Sequence, residues 1–116
     1  MKSAQADLAC PITTSQFLDM CADKLGTDYK TSKALGKHAS YISNMRGRGG
    51  ILSDETAIKI ADILDFPVAS ILLCLAAERA VRDTQFEGAE KVVEAAEMHL
   101  PRKAPARREI HLSTRL

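Results

Sequence analysis

Tryptophan is absent from this sequence, and the aromatics stop at Phe17, Tyr29, Tyr41, Phe66 and Phe86. Alanine, leucine and isoleucine carry the apolar content instead, a bias toward helix over sheet. No apolar run nears the roughly 18 residues that a membrane-crossing helix needs, so no membrane partner is expected. Near the N-terminus Asp7 breaks any charged-then-apolar leader pattern. An all-α, cytoplasmic protein is the expectation. Its 116 residues suit one small domain with loose ends.

Clusters that carry chemistry are equally sparse. Cys10, Cys21 and Cys74 lie far apart, with no CxxC pair and no histidine at zinc-binding spacing. Neither a metal nor another cofactor follows from them. Cys21 and Cys74 read as small buried hydrophobes, and Cys10 as the exposed thiol of an N-terminal arm. The glycine-rich 46-RGRGG-50 lacks the Lys-Ser/Thr that closes a phosphate-cradling loop. His38 has no carboxylate or cysteine at usable local spacing, and it serves equally well at a helix start. Enzymatic activity is not expected, and no small-molecule ligand is evident.

A strong net charge is missing too, since the total is +1. That balance conceals a segregation. Residues 24–52 carry Lys24, Lys30, Lys33, Lys37, Arg46 and Arg48 against Asp28 alone, while residues 53–99 are acidic in compensation. Residues 100–116 are basic again, with only Glu109 opposing them. A basic block inside a near-neutral chain points to one face made for a polyanion.

The helix signals are clear. Thr14 or Ser15 can cap a first helix whose Phe17, Leu18, Cys21 and Leu25 share a face, with Gly26 as its stop. Thr27 and Asp28 open a short second helix through Leu35, ended by Gly36. The third runs from about Ala39 to Met45 or Arg46, stopped by glycines 47, 49 and 50. Ser53-Asp54-Glu55 begins a fourth, with acids where the helix N-terminus favours them. Pro67 suits the first turn of a fifth, whose 71-ILLCLAA-77 is apolar on every side. Such a helix must bury more than one face, so its second face wants a partner. A sixth, with a narrow apolar stripe, lies in 89–100. The chain therefore divides into a flexible arm (1–12), a helical domain (13–82), a C-terminal helix available for dimerisation (83–100) and a basic, disordered tail (101–116).

The second and third helices, joined at 35-LGKH-38, have the parts of a helix-turn-helix. Ser32 or Ala34 is small enough for a close crossing, Gly36 permits a positive φ in the turn, and Ile42 and Met45 anchor the second member inward. Ala39, Ser40, Ser43 and Asn44 are left facing out. A merely solvated face would carry Glu, Lys or Gln. Small and amide side chains suit base edges: Asn pairs with adenine, Ser donates or accepts, and an Ala methyl packs on a thymine methyl. Lys33, Lys37, Arg46 and Arg48 flank this face as phosphate contacts. Thr27, at a helix start with free amides, and Tyr41 complete the expected backbone set.

Several motifs carry a resemblance: Leu35-Gly36, Ile42-Ser43 in the third helix with glycine beyond it, and Ile60-Ala61-Asp62-Ile63-Leu64. On these, residues 14–75 resemble the lambda-repressor-like (Cro-type) helix-turn-helix domains of phage and bacterial regulators. More narrowly, 28-DYKTSKALG-36 and 71-ILLCLAAERA-80 resemble small prophage-associated regulators, including those of filamentous phages. The resemblance implies a compact five-helix domain, here with a C-terminal helix added. It also implies a homodimer on double-stranded, palindromic operator DNA, a repressor's role, and base reading by Ala39, Ser40, Ser43 and Asn44. Thr31 and Ser32 stand where the family usually has Leu-Ala, which predicts a looser second helix. The expected dimer interface is Leu72, Leu73, Leu75, Ala76, Val92 and Val93. The same surface serves the alternative reading, a protein-interaction module such as an antitoxin or anti-repressor partner.

Overall fold

The structure, a computed structural model, describes residues 10–83 and 87–101. Residues 1–9 of the expected arm (1–12), Phe86 and residues 102–116 of the expected tail (101–116) lie outside the described residues. Among the described residues there are six helices and no strand: α1 Thr14–Leu25, α2 Asp28–Ala34, α3 Tyr41–Arg48, α4 Asp54–Leu64, α5 Val68–Arg82 and α6 Ala89–Met98. The protein is all-α.

Local chemistry sets the boundaries. Thr13, rather than Thr14 or Ser15, caps α1 through a reciprocal box. Its hydroxyl accepts from Gln16 N, and Gln16 Oε1 accepts from Thr13 N at 2.8 Å. Thr14 is engaged elsewhere, donating its amide and its hydroxyl to Glu78 Oε1 at 2.8 and 2.7 Å. Ser53 caps α4 as expected. The two residues behind the predicted looseness of α2 are packed inside the fold. Thr31 and Ser32 are fully buried, and Thr31 Oγ1 donates to Thr27 O at 3.0 Å.

One core joins these elements. Phe17, Leu18 and Cys21 of α1 meet Ile42 of α3, Ile60 of α4, and Ile71 and Leu75 of α5. Each large apolar side chain so buried contributes about 1.5–3 kcal/mol relative to exposure. Residues 10–12 belong to this core, which corrects the reading of Cys10 as an exposed arm thiol: Cys10 is buried, and its Sγ donates to Ile12 O (2.8 Å) and Cys74 O (3.2 Å). Burial pushes the thiols of Cys21 and Cys74 up to about 12.

The α5–α6 pairing is the most extensive in the fold, and it answers the question raised by 71-ILLCLAA-77. The second apolar face of α5 is covered by α6 of the same chain. Leu75 is fully buried and Val93 nearly so, which removes both from any surface contact between copies. Leu72, Leu73 and Val92 are half-buried against the core, and Ala76 is half-buried. Ser70 Oγ donates to His99 O and fastens the end of α6 to the start of α5.

Candidate nucleic-acid interface

The interface candidate is built on α2, the turn after it, and α3. Gly36 has φ +72°, which lets the chain reverse after α2. Lys37 N donates to Ser32 O at 2.9 Å, and Lys59 Nζ of α4 donates to Leu35 O at 3.1 Å. The carbonyls left open at the end of α2 thus find donors. Nothing local in the sequence marks Lys59 for this role.

α3 begins at Tyr41, two residues later than expected. Ala39 and Ser40 form a turn closed by Tyr41 N donating to His38 O at 3.0 Å, and Ser40 (ψ 6°) makes no side-chain cap. Its hydroxyl meets His38 Nδ1 at 3.1 Å instead. A cap comes from across the fold, where Ser32 Oγ of α2 accepts from Ile42 N at 3.4 Å. Ser32 therefore does more than permit a close crossing: it satisfies a first-turn amide of its neighbour. Gly47 lies within α3, and the helix ends at Gly49, whose φ of +65° is left-handed.

Ile42 and Met45 point inward and are buried. Ser43 and Asn44 are exposed on α3, with Ala39 and Ser40 exposed just ahead of it. Ser40, Ser43, Asn44 and Gly47 follow the spacing of one helical face. A Cβ on Gly47 would meet nothing within 4 Å, so the face is open at this position.

The flanking cations differ in their freedom. Lys33 and Arg48 are exposed. Lys37 Nζ lies 5.3 Å from the Tyr41 ring centroid, and Lys33 Nζ lies 6.0 Å from that of Tyr29. Thr27 is exposed, its hydroxyl accepting from Lys30 N at 3.0 Å. Arg46 departs from the expected phosphate contact. Its Nε and Nη2 donate to the Asp28 carboxylate at 3.0 and 3.1 Å, and its Nη1 lies 2.7 Å from Asp19 Oδ1. The Asp28 hydrogen bonds push its pKa further up, against a smaller opposing effect of burial. With its charge already matched, Arg46 braces α3 to α1 and α2 in place of the expected backbone contact.

Two further residues support the end of α3. Arg82 Nη1 donates to Gly49 O at 2.8 Å, and Leu52 N donates to Thr14 Oγ1 at 3.2 Å, itself held by Glu78. Arg82 and Glu78 sit one turn apart on α5, with Arg82 Nη2 3.7 Å from Glu78 Oε2. Their partners are remote in sequence, so only the fold reveals these roles. Among the described residues no group of metal-ligating side chains converges, and no helix is long and apolar enough to cross a membrane.

No protein-family model, curated protein or solved structure matches the chain.

Proposed function

We propose that this chain is a sequence-specific, double-stranded DNA-binding transcriptional regulator of the lambda-repressor-like, Cro-type kind, acting as a phage or prophage repressor. The observation that carries the reading is the outer face of α3. It presents exposed Ser43, Asn44 and Gly47 behind the exposed turn residues Ala39 and Ser40, with Arg48 at its end and Lys33 and Lys37 on the preceding segment. A helix held by two buried residues, with small polar groups outward and cations beside them, suits entry into a major groove. Thr27 and Tyr41 complete the backbone set.

A homodimer belongs to this reading because one such helix covers few base pairs. Two copies would address half-sites about one turn, ~34 Å, apart. Burial takes Leu75 and Val93 out of the pairing surface, leaving the partly exposed Leu72, Leu73, Ala76 and Val92. One observation favours the alternative of a protein-interaction module. Ile58 and Val68 are 53% and 40% exposed beside a groove that Ile63 also lines.

The test is binding of the full chain to duplex DNA from its own upstream region at two salt concentrations, with sedimentation of the complex. We expect binding that weakens steeply with salt, as phosphate-dominated complexes do, and two chains per site. Failure to bind duplex DNA at either concentration would contradict the reading.

A further inference from the structure

We infer that the base pairs facing residues 39–44 in each half-site are A·T, with adenine opposite Asn44 and a thymine methyl against Ala39; this rests on the DNA-binding reading above. Three features of the molecule carry it.

The commonest reader of guanine is an arginine or lysine reaching O6 and N7. Within residues 39–47 the only such side chain is Arg46, and all three of its guanidinium nitrogens are engaged by Asp19 and Asp28. Three of its five N–H donors are spent on carboxylates of two other helices, which hold the group against α1 and α2. The carboxylate acceptors that read the cytosine amino group are also missing from this stretch. A G·C pair would find no dedicated partner there.

Asn44 is the one exposed side chain of the stretch with a donor and an acceptor on one planar group. That pair matches the adenine N6 amino group and N7. Ala39 is exposed in the turn just ahead of α3, where its methyl is available to a thymine methyl. Ser40 and Ser43 accept any base, and Ser40 already shares its hydroxyl with His38. Arg48, on the last residue of α3, lies outside the stretch and remains a flanking contact.

The experiment is selection from a randomised duplex library with the full chain, repeated with Asn44→Ala. Affinity is then measured on the selected site with 7-deazaadenine or deoxyuridine replacing single bases. The expected result is one A·T column per half-site that fades in the Asn44→Ala motif. 7-Deazaadenine at that column removes the N7 acceptor and keeps the N6 amino group, so it should weaken the wild-type chain about 2- to 13-fold, the range for loss of one hydrogen bond, and leave the variant unaffected. Deoxyuridine should weaken binding at one neighbouring thymine, and Ala39→Gly should abolish that sensitivity. The modified bases leave the protein untouched, so a folding defect cannot produce these losses. A selected motif whose Asn44-sensitive column is G·C overturns the inference while DNA binding stands. Salt-insensitive retention, with no motif enriched, overturns the DNA-binding reading itself.

Discussion

α3 and α5 are opposite solutions to the placement of a helix. α5 is wrapped, with its own core on one side and α6 on the other. α3 is held by Ile42 and Met45, the Ser32 hydroxyl and the Arg46 brace, and leaves its remaining face open. The first arrangement stabilises the fold, whereas the second spends little apolar area and keeps a surface for something else. Substitutions in α5 should therefore be read in stability, and substitutions on the outer face of α3 in binding.

Leu75→Ala attacks the comparison where the largest effect is expected. A fully buried leucine replaced by alanine costs about 2–5 kcal/mol, which denaturant unfolding measures directly. A loss below about 0.5 kcal/mol, the size of a surface substitution, would mean that Leu75 is not part of the core. Glu78→Ala should come next, at about 1–3 kcal/mol, because the buried amide of Thr14 loses its acceptor. Glu78→Gln, which retains an acceptor oxygen, should lose less.

Asp28→Asn probes the α3 side. The Arg46–Asp28 pair is partly solvated, so its removal should cost no more than about 1 kcal/mol of stability. It also removes a negative charge beside the proposed DNA face and frees part of Arg46. Affinity for any duplex should rise, with a salt dependence steeper by about one phosphate contact. Unchanged affinity would show that Arg46 stays out of reach of DNA even when released.

The smallest effect at ordinary pH concerns the thiols. The folded-state pKa values of Cys21 and Cys74 are raised to about 12, above the value near 8.5 of an unfolded thiol. The sign follows from the folded state holding its protons more tightly. This contribution is complete below pH ~8.5 and is lost as pH rises toward 12. Both thiols should resist a thiol reagent at pH 8 in the folded protein and react at once on unfolding. Rapid labelling of folded Cys74 would contradict its burial.

The six helices and their order were legible because their stops and starts are chemical. Gly26, Gly36, the Ser53-Asp54-Glu55 run and Pro67 each act within a few residues of a boundary. What could not be read lies across the fold. Thr13 and Thr14 are equivalent as local caps, and the choice is made by Gln16 on one side and Glu78 on the other. The apolar excess of α5 announced a partner without naming it, since an apolar face does not specify its occupant. Arg46 read as a free cation because Asp19 and Asp28 reach it only once α1, α2 and α3 have packed. Of the candidate site, the outward direction of Ser43 and Asn44 was legible from the spacing of Ile42 and Met45, but the late start of α3 was not. A turn through Ala39 and Ser40, with a cap supplied by Ser32, has no local signature.

The central claim is that the outer face of α3 reads DNA sequence while the rest of the fold holds it in place. The direct measurement is the affinity of the wild-type chain and of Asn44→Ala for two duplexes, one from the chain's own upstream region and one scrambled to equal composition, at a single salt concentration. The account predicts that the wild-type chain prefers its own duplex, and that the variant loses preference by about 1–3 kcal/mol. Affinity for the scrambled duplex and folding stability should both be unchanged. Equal weakening of the variant on both duplexes, or a wild-type chain with no preference, would contradict it.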